Sequence, residues 1–191
     1  MNGLFSKTWE TNFDGGIVPA WLTLNAGVIA SESTAGWGGI TLKRESSTGD
    51  KVLSAPAITD ARLTGLEMEC VFTGLDASHG SLEIGFLSGA DGCFVKASGP
   101  GVYVVTRKGG VETQRYCYIR LSDPSIIYPL KIKWDIKGKT VQVSKGDGAV
   151  YIYFDNLDAG LTGTQPMLAW RNAPVNNVDT LISLSLTKHF L

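Results

Sequence analysis

Three sets of residues in this chain have types and spacings suited to chemistry. Glu67 and Glu69 stand two apart in the extended apolar stretch LTGLEMECVF, so both carboxylates project from one strand face. Paired carboxylates carry out glycoside hydrolysis, one as the acid and the other as nucleophile or base. They are also what the wetted face of a sheet ordinarily displays. Asp155, Asn156 and Asp158, in FDNLDAG, gather the oxygen donors that Ca²⁺ accepts. Asp and Asn serve equally well in turns, where their side chains bond nearby backbone. The third set is aromatic and polar: Trp37, Tyr103, Trp170, Arg171, Asn172, Asn176 and Asn177. Sugar rings lay their C–H faces on aromatic planes while Arg and Asn fork onto hydroxyls, and the same residue types are enriched at protein interfaces. For Trp37 and Trp170 the competing expectation is a place in the core, capping the ends of the fold.

Other chemistries are poorly served. His79 and His189 are far apart, neither sits in a nucleophile context, and no Ser-His-Asp set is suggested. The glycine-rich spots join strands rather than opening helices, so no phosphate cradle is expected. Cys70, Cys93 and Cys117 are odd in number and form no CxxC pair. They read as small buried hydrophobes in a reducing compartment, or as one disulfide plus a free thiol. The net charge of −1 is scattered, which argues against a nucleic-acid partner. No apolar run approaches the roughly 20 residues that span a bilayer, and MNGLFSKTWETNF lacks a signal-peptide core. The expectation is a soluble product, cytoplasmic when made, without membrane insertion and compatible with a place in a virion.

These residues must be positioned by strands. In LKIKWDIKGKTVQVSKGDGAVYIYF, Leu130, Ile132, Trp134 and Ile136 alternate with Lys131, Lys133, Asp135 and Lys137. This period of two buries one strand face and wets the other. Lys137-Gly138 and Gly146-Asp147-Gly148 are placed to supply the positive φ of hairpin turns. In the third strand Ile152 is expected to face inward, with Tyr151 and Tyr153 on the other side. Tyr103, Tyr116 and Tyr118 are likewise expected to alternate with inward positions. Further strands are predicted at Leu22 to Leu24, Gly39 to Lys43, Leu63 to Thr73, Ser81 to Leu87 and Cys93 to Ala97. Others fall at Gly101 to Arg107, Thr113 to Leu121, Pro166 to Trp170 and Leu181 to Lys188. Their spacing of about 8–12 residues is that of a sandwich or barrel, and 23 glycines suit its many turns. Helical periodicity is nearly absent; short turns near Pro56 to Ala61 and Ser122 to Ser125 are the exceptions. With no linker-like stretch, residues 1–191 read as one domain of two antiparallel sheets, the N- and C-terminal strands side by side.

The order of segments resembles the concanavalin A-like lectin/glucanase jelly roll, including laminin-G-like modules. The resemblance rests on a Phe13-Asp14 turn, the long strand LTGLEMECVF, its partner SLEIGF, the turn SGADG, GVYVVTR, YPLKIKWD with its hairpins, and the closing LISLSL. It implies an all-β jelly-roll sandwich; the superfamily spans lectins, glycosidases, adhesion modules and virus particle proteins. Its glycosidases carry an E-x-D-x-x-E strand. Here EMECVF matches the first acid, Glu69 stands in for the Asp, and Phe72 occupies the place of the second acid, with Glu83 on the next strand as the alternative. The superfamily's lectins often hold Ca²⁺, but their fuller ligand run is not present. The resemblance therefore implies a non-catalytic binding or adhesion module for a glycan or protein partner, such as a phage decoration or receptor-binding component. A purely structural assembly subunit, in a homo-oligomer or among virion neighbours, is the alternative, and a glucanase the second. Apart from Ca²⁺ no cofactor is implied.

Overall fold

A computed structural model describes residues 5–34, 38–45, 49–73, 80–98, 101–119, 127–146, 149–154, 164–173 and 179–191. Among these, a 3₁₀ turn at Asp14–Gly16 is the only helical element, and every other regular element is a strand. The strands are β1 (Phe5–Thr11), β2 (Thr23–Leu24), β3 (Val28–Glu32), β4 (Ile40–Arg44), β5 (Gly49–Ser54), β6 (Leu63–Thr73), β7 (Ser81–Ser88) and β8 (Asp91–Ser98). Then follow β9 (Gly101–Lys108), β10 (Val111–Tyr116), β11 (Ile127–Asp135), β12 (Thr140–Lys145), β13 (Ala149–Phe154), β14 (Gln165–Ala173) and β15 (Asp179–Phe190). One sheet runs β13-β12-β11-β6-β15-β4-β3 with β1 also on β15, and the other runs β10-β9-β8-β7-β14-β5-β2. All recorded pairings are antiparallel, which makes the molecule a jelly-roll β-sandwich. The predicted closure by the terminal strands is present: β1 pairs along β15 from Phe5↔Phe190 to Thr11↔Leu184.

Alternation builds the interior. Leu66, Met68, Cys70 and Phe72 of β6, with Leu130, Ile132 and Trp134 of β11, face Leu82, Ile84 and Phe86 of β7 and Cys93, Val95 and Ala97 of β8 in one buried cluster. Phe86 and Trp134 stack across the two sheets, their ring centroids 6.3 Å apart. On β15 a period of two would send Ile182 inward with Leu184 and Leu186, but a bulge between Leu181 and Ser183 breaks it, so Leu181, Leu184 and Leu186 point inward and Ile182 does not. The three cysteines are buried and free. Burial raises the Cys70 thiol well above its ordinary range and shifts the Cys117 thiol in the same direction, so they act as small hydrophobes.

Two local expectations are corrected. In the β11–β12 turn the left-handed residue is Lys139 (φ 51°), not Gly138. Gly138 is needed for close approach instead: its N–H donates to Asp135 Oδ1 (2.8 Å), and a Cβ there would overlap that carboxylate. On β13 the faces are inverted. Register pairs Val143↔Tyr151 and Val141↔Tyr153 on the core side, and Ser144↔Val150 and Gln142↔Ile152 on the outer side. Ile152 is therefore 60 % exposed. A one-residue shift of register flips every side chain, and tyrosine has the reach this margin requires. Tyr153 Oη donates across the sandwich to the carbonyl of Tyr116, at 2.9 Å, joining β13 to the edge strand of the other sheet.

Candidate functional site

The outer face of the seven-stranded sheet carries Tyr103 and Arg171 of the predicted binding residues. Successive pairings place Tyr116, Tyr103, Lys96, Glu83 and Ala169 in one row across β10, β9, β8, β7 and β14. Neighbours in such a row are about 5 Å apart and their side chains interact. Tyr103 and Tyr116 pack with centroids 5.5 Å apart, and Tyr116 meets Tyr118 edge-on at 4.8 Å. Tyr118 is 77 % exposed and adopts a left-handed φ of 54°. The chain turns there because the N–H of Cys117 still bonds the Val102 carbonyl (2.8 Å) and its thiol is buried, which throws the next ring outward. The three rings thus form a continuous aromatic step at one margin of the face.

Next to the rings the face is polar and tightly organised. Arg171 Nε donates to Glu83 Oε2 and its Nη1 to Asp50 Oδ2, both at 2.7 Å. Burial alone would lower the arginine pKa, but the two carboxylates outweigh it and raise the pKa further, so Arg171 stays charged. Beside this row, Phe94 and Val105 are fully buried although they lie on the outer side. Gly85 stands opposite Phe94, where a Cβ would overlap its backbone, and the Arg107 guanidinium lies 5.3 Å over its ring. Arg107 is in turn held by Glu112 at 2.6 Å.

One predicted site residue, Trp170, is placed differently. Trp170 is 1 % exposed and belongs to the core: the period of β14 sends Leu168 and Trp170 inward and Ala169 and Arg171 outward. It offers no stacking face. Tyr103 and Arg171 share the outer face, as binding residues would. Asn172 lies on β14. Trp37, Asn176 and Asn177, and the cluster Asp155, Asn156 and Asp158, lie outside the described residues. Among the described residues no group of His, Cys, Asp and Glu is arranged to hold a metal ion.

The Glu67–Glu69 face belongs to the other sheet and looks out from the opposite side of the sandwich. Glu83 is thus remote from it, buried beside Arg171. Phe72 faces inward at 0 % exposure, so the strand cannot present a further acid there. Glu67 itself receives Lys131 Nζ at 2.6 Å and Lys133 Nζ at 3.1 Å. Burial pushes its carboxyl up, but the two ammonium groups outweigh this and hold its pKa at about 2. A carboxyl ionised at every ordinary pH cannot donate a proton to a glycosidic oxygen. His189 is not isolated either: its Nε2 lies 3.0 Å from Glu67 Oε1 and its Nδ1 2.7 Å from Ser6 Oγ. Sequence reading missed this constellation because its members are 61 and 122 residues apart, and only the β1–β15–β6 pairing brings them together.

No protein-family model and no curated protein matches the sequence. Solved structures do. A protein of unknown function from Shewanella oneidensis MR-1 superposes with a TM-score of 0.68 at 15 % identity, covering 98 % of this chain and 87 % of that one. The potassium-bound carbohydrate recognition domain of Emp46p gives 0.64 at 12 % identity, covering 87 % and 88 %. The CBM2 module of the evolved Dit of Lactobacillus casei BL23 phage J-1 gives 0.62 at 9 % identity, covering 97 % of both chains. At these identities the likeness extends to the fold.

Proposed function

We propose that this chain is a glycan-binding module without glycosidase chemistry. The observation that carries the reading is the step of Tyr103, Tyr116 and Tyr118 beside the charged row of Lys96, Glu83 and Arg171. Ring faces of that kind accept the apolar side of a sugar, and the adjacent fixed donors and acceptors meet its hydroxyls. Glu83 is tied to Arg171 on one face, and Glu67 to two lysines on the other. Neither set offers a proton donor paired with a nucleophile across a sugar. The folds of a carbohydrate recognition domain and of a phage Dit carbohydrate-binding module, both matched over most of their length, favour the same class. The phage likeness extends the reading to a receptor-binding component of a particle. Residues 1–191 act in this reading as one domain, and a Ca²⁺ ion on Asp155, Asn156 and Asp158 is not required for it.

A glycan array of the intact chain, followed by titration with the best hit, tests this. Tyr118→Ala and Tyr116→Ala should each weaken binding about tenfold, roughly 1.4 kcal/mol, while Ile152→Ala on the opposite side leaves it unchanged. Binding that survives both tyrosine changes, or an array without hits, would overturn the reading. A protein receptor is the main competitor.

A further inference from the structure

We infer that Ser6, His189 and Glu67 form an acyl-transfer site on the outer face of the eight-stranded sheet, acting on small, unhindered carboxylic esters. The geometry is that of a nucleophile, its base and an orienting acid. Ser6 lies directly opposite His189 in the β1–β15 register, and His189 lies opposite Gly65 on β6. Glu67 is two residues along the same strand. With no side chain at Gly65, the imidazole has room to lean diagonally onto Glu67. Both ring nitrogens are engaged: Nε2 with Glu67 Oε1 at 3.0 Å and Nδ1 with Ser6 Oγ at 2.7 Å.

The charge on Glu67 settles the tautomer. An ionised carboxylate can only accept, so Nε2 carries the proton of the neutral ring. Nδ1 then presents its lone pair and accepts the Ser6 hydroxyl proton. This is the arrangement that makes a serine nucleophilic, whatever fold carries it. Ser6 is exposed, as a nucleophile must be. Ser6 and His189 also line one hollow of about 500 Å³, whose other walls are Thr64, Gly65, Lys133, Asp135 and Lys137. The hollow is shallow and open, which suits a small acyl group such as acetyl, including one carried on a sugar hydroxyl. This site lies on the side of the sandwich opposite the tyrosine step and does not rest on glycan binding there.

The reaction balances without a further reagent. Ser6 Oγ bonds to the ester carbonyl carbon as its proton passes to His189 Nδ1. The carbon–oxygen bond to the alcohol breaks, and the departing oxygen takes that proton. Water then attacks acyl-Ser6, giving its proton to His189. Collapse releases the carboxylic acid and restores the Ser6 hydroxyl. The sum is ester plus water to acid plus alcohol.

The intact protein should be treated with a fluorophosphonate probe and, separately, with p-nitrophenyl acetate, with modified peptides mapped by mass spectrometry. The expected results are a single fluorophosphonate adduct on Ser6, its loss in Ser6→Ala, and a fall of at least 100-fold in labelling rate in His189→Gln. Glu67→Gln should slow labelling at least tenfold while circular dichroism stays unchanged. Ser6 labelled no faster than in the heat-unfolded chain, acetate found on Lys133 or Lys137 instead, or hydrolysis that persists in Ser6→Ala would each overturn the assignment.

Discussion

Glu67 shows how one side chain is determined by what its neighbours demand of it. It has a cation across the sheet on Lys133, a second diagonally on Lys131, and an imidazole on the other flank. The group ionises at about 2, below the ordinary carboxylate value of 4.5. Because the folded-state pKa is the lower one, its contribution to stability is present above about pH 4.5 and is lost as pH falls toward 2. The lysines are half-exposed, so screening reduces the effect to about 1–2 kcal/mol. Glu67→Gln should lower the unfolding free energy by that amount at pH 7. It should also flatten the part of the acid-unfolding curve between pH 4.5 and 2, as followed by urea titration at stepped pH. A variant with the wild-type slope in that window would show that the two lysines do not act on this group.

At the scale of the element, register decides which of two equivalent-looking faces is wet. β13 carries Val150 and Ile152 on one side and Tyr151 and Tyr153 on the other, and either could serve as a core face on composition alone. The pairing with β12 makes the tyrosines inward, and the Tyr153 hydroxyl ties the two sheets at their shared margin. Gly85 has the corresponding role in β7. It is opposite Phe94, and an added Cβ would run into the neighbouring strand's backbone rather than into a movable side chain. Gly85→Ala should therefore destabilise the protein by about 1–3 kcal/mol, the usual range for overpacking. It should also lift the Phe94 ring and loosen the Arg107–Glu112 pair beside it. Chemical denaturation gives the first result; loss of protection of the β7–β8 amides in hydrogen exchange gives the second.

For the whole molecule, stability depends on the two inner faces meeting. Trp134 and Phe86 stack where the sheets meet and are essentially solvent-free. Trp134→Ala would leave a large cavity and should cost about 3–5 kcal/mol. In a chain of this length each kcal/mol is worth about 2–4 °C, so melting should fall by roughly 6–20 °C. Ile152→Ala, on the outer side, should change stability by no more than about 0.5 kcal/mol. Differential scanning calorimetry of the two variants separates an inward Trp134 from an outward Ile152 directly. The two outer faces, by contrast, carry different chemistry. One has the tyrosine step and the Arg171 ion pairs, and the other has Glu67 with its lysines, His189 and Ser6.

The alternation of apolar and polar residues was enough to specify an all-β sandwich, its strand-rich order and most of its inward residues, because a period of two is a local property of an extended chain. The same local logic placed Glu67 and Glu69 on a wetted face and Tyr103 on the outside. It left Trp170 open between a binding role and the core, since an aromatic beside Arg and Asn looks the same in a string of letters whether it points in or out. The β13 inversion and the β15 bulge were hidden for a related reason: they depend on hydrogen-bond register with a partner strand. The meeting of Ser6, Glu67 and His189, and the row from Tyr116 to Ala169 with Arg171 beside it, required tertiary structure altogether. Each joins residues distant along the chain, and only cross-strand pairing brings such residues within a few ångströms.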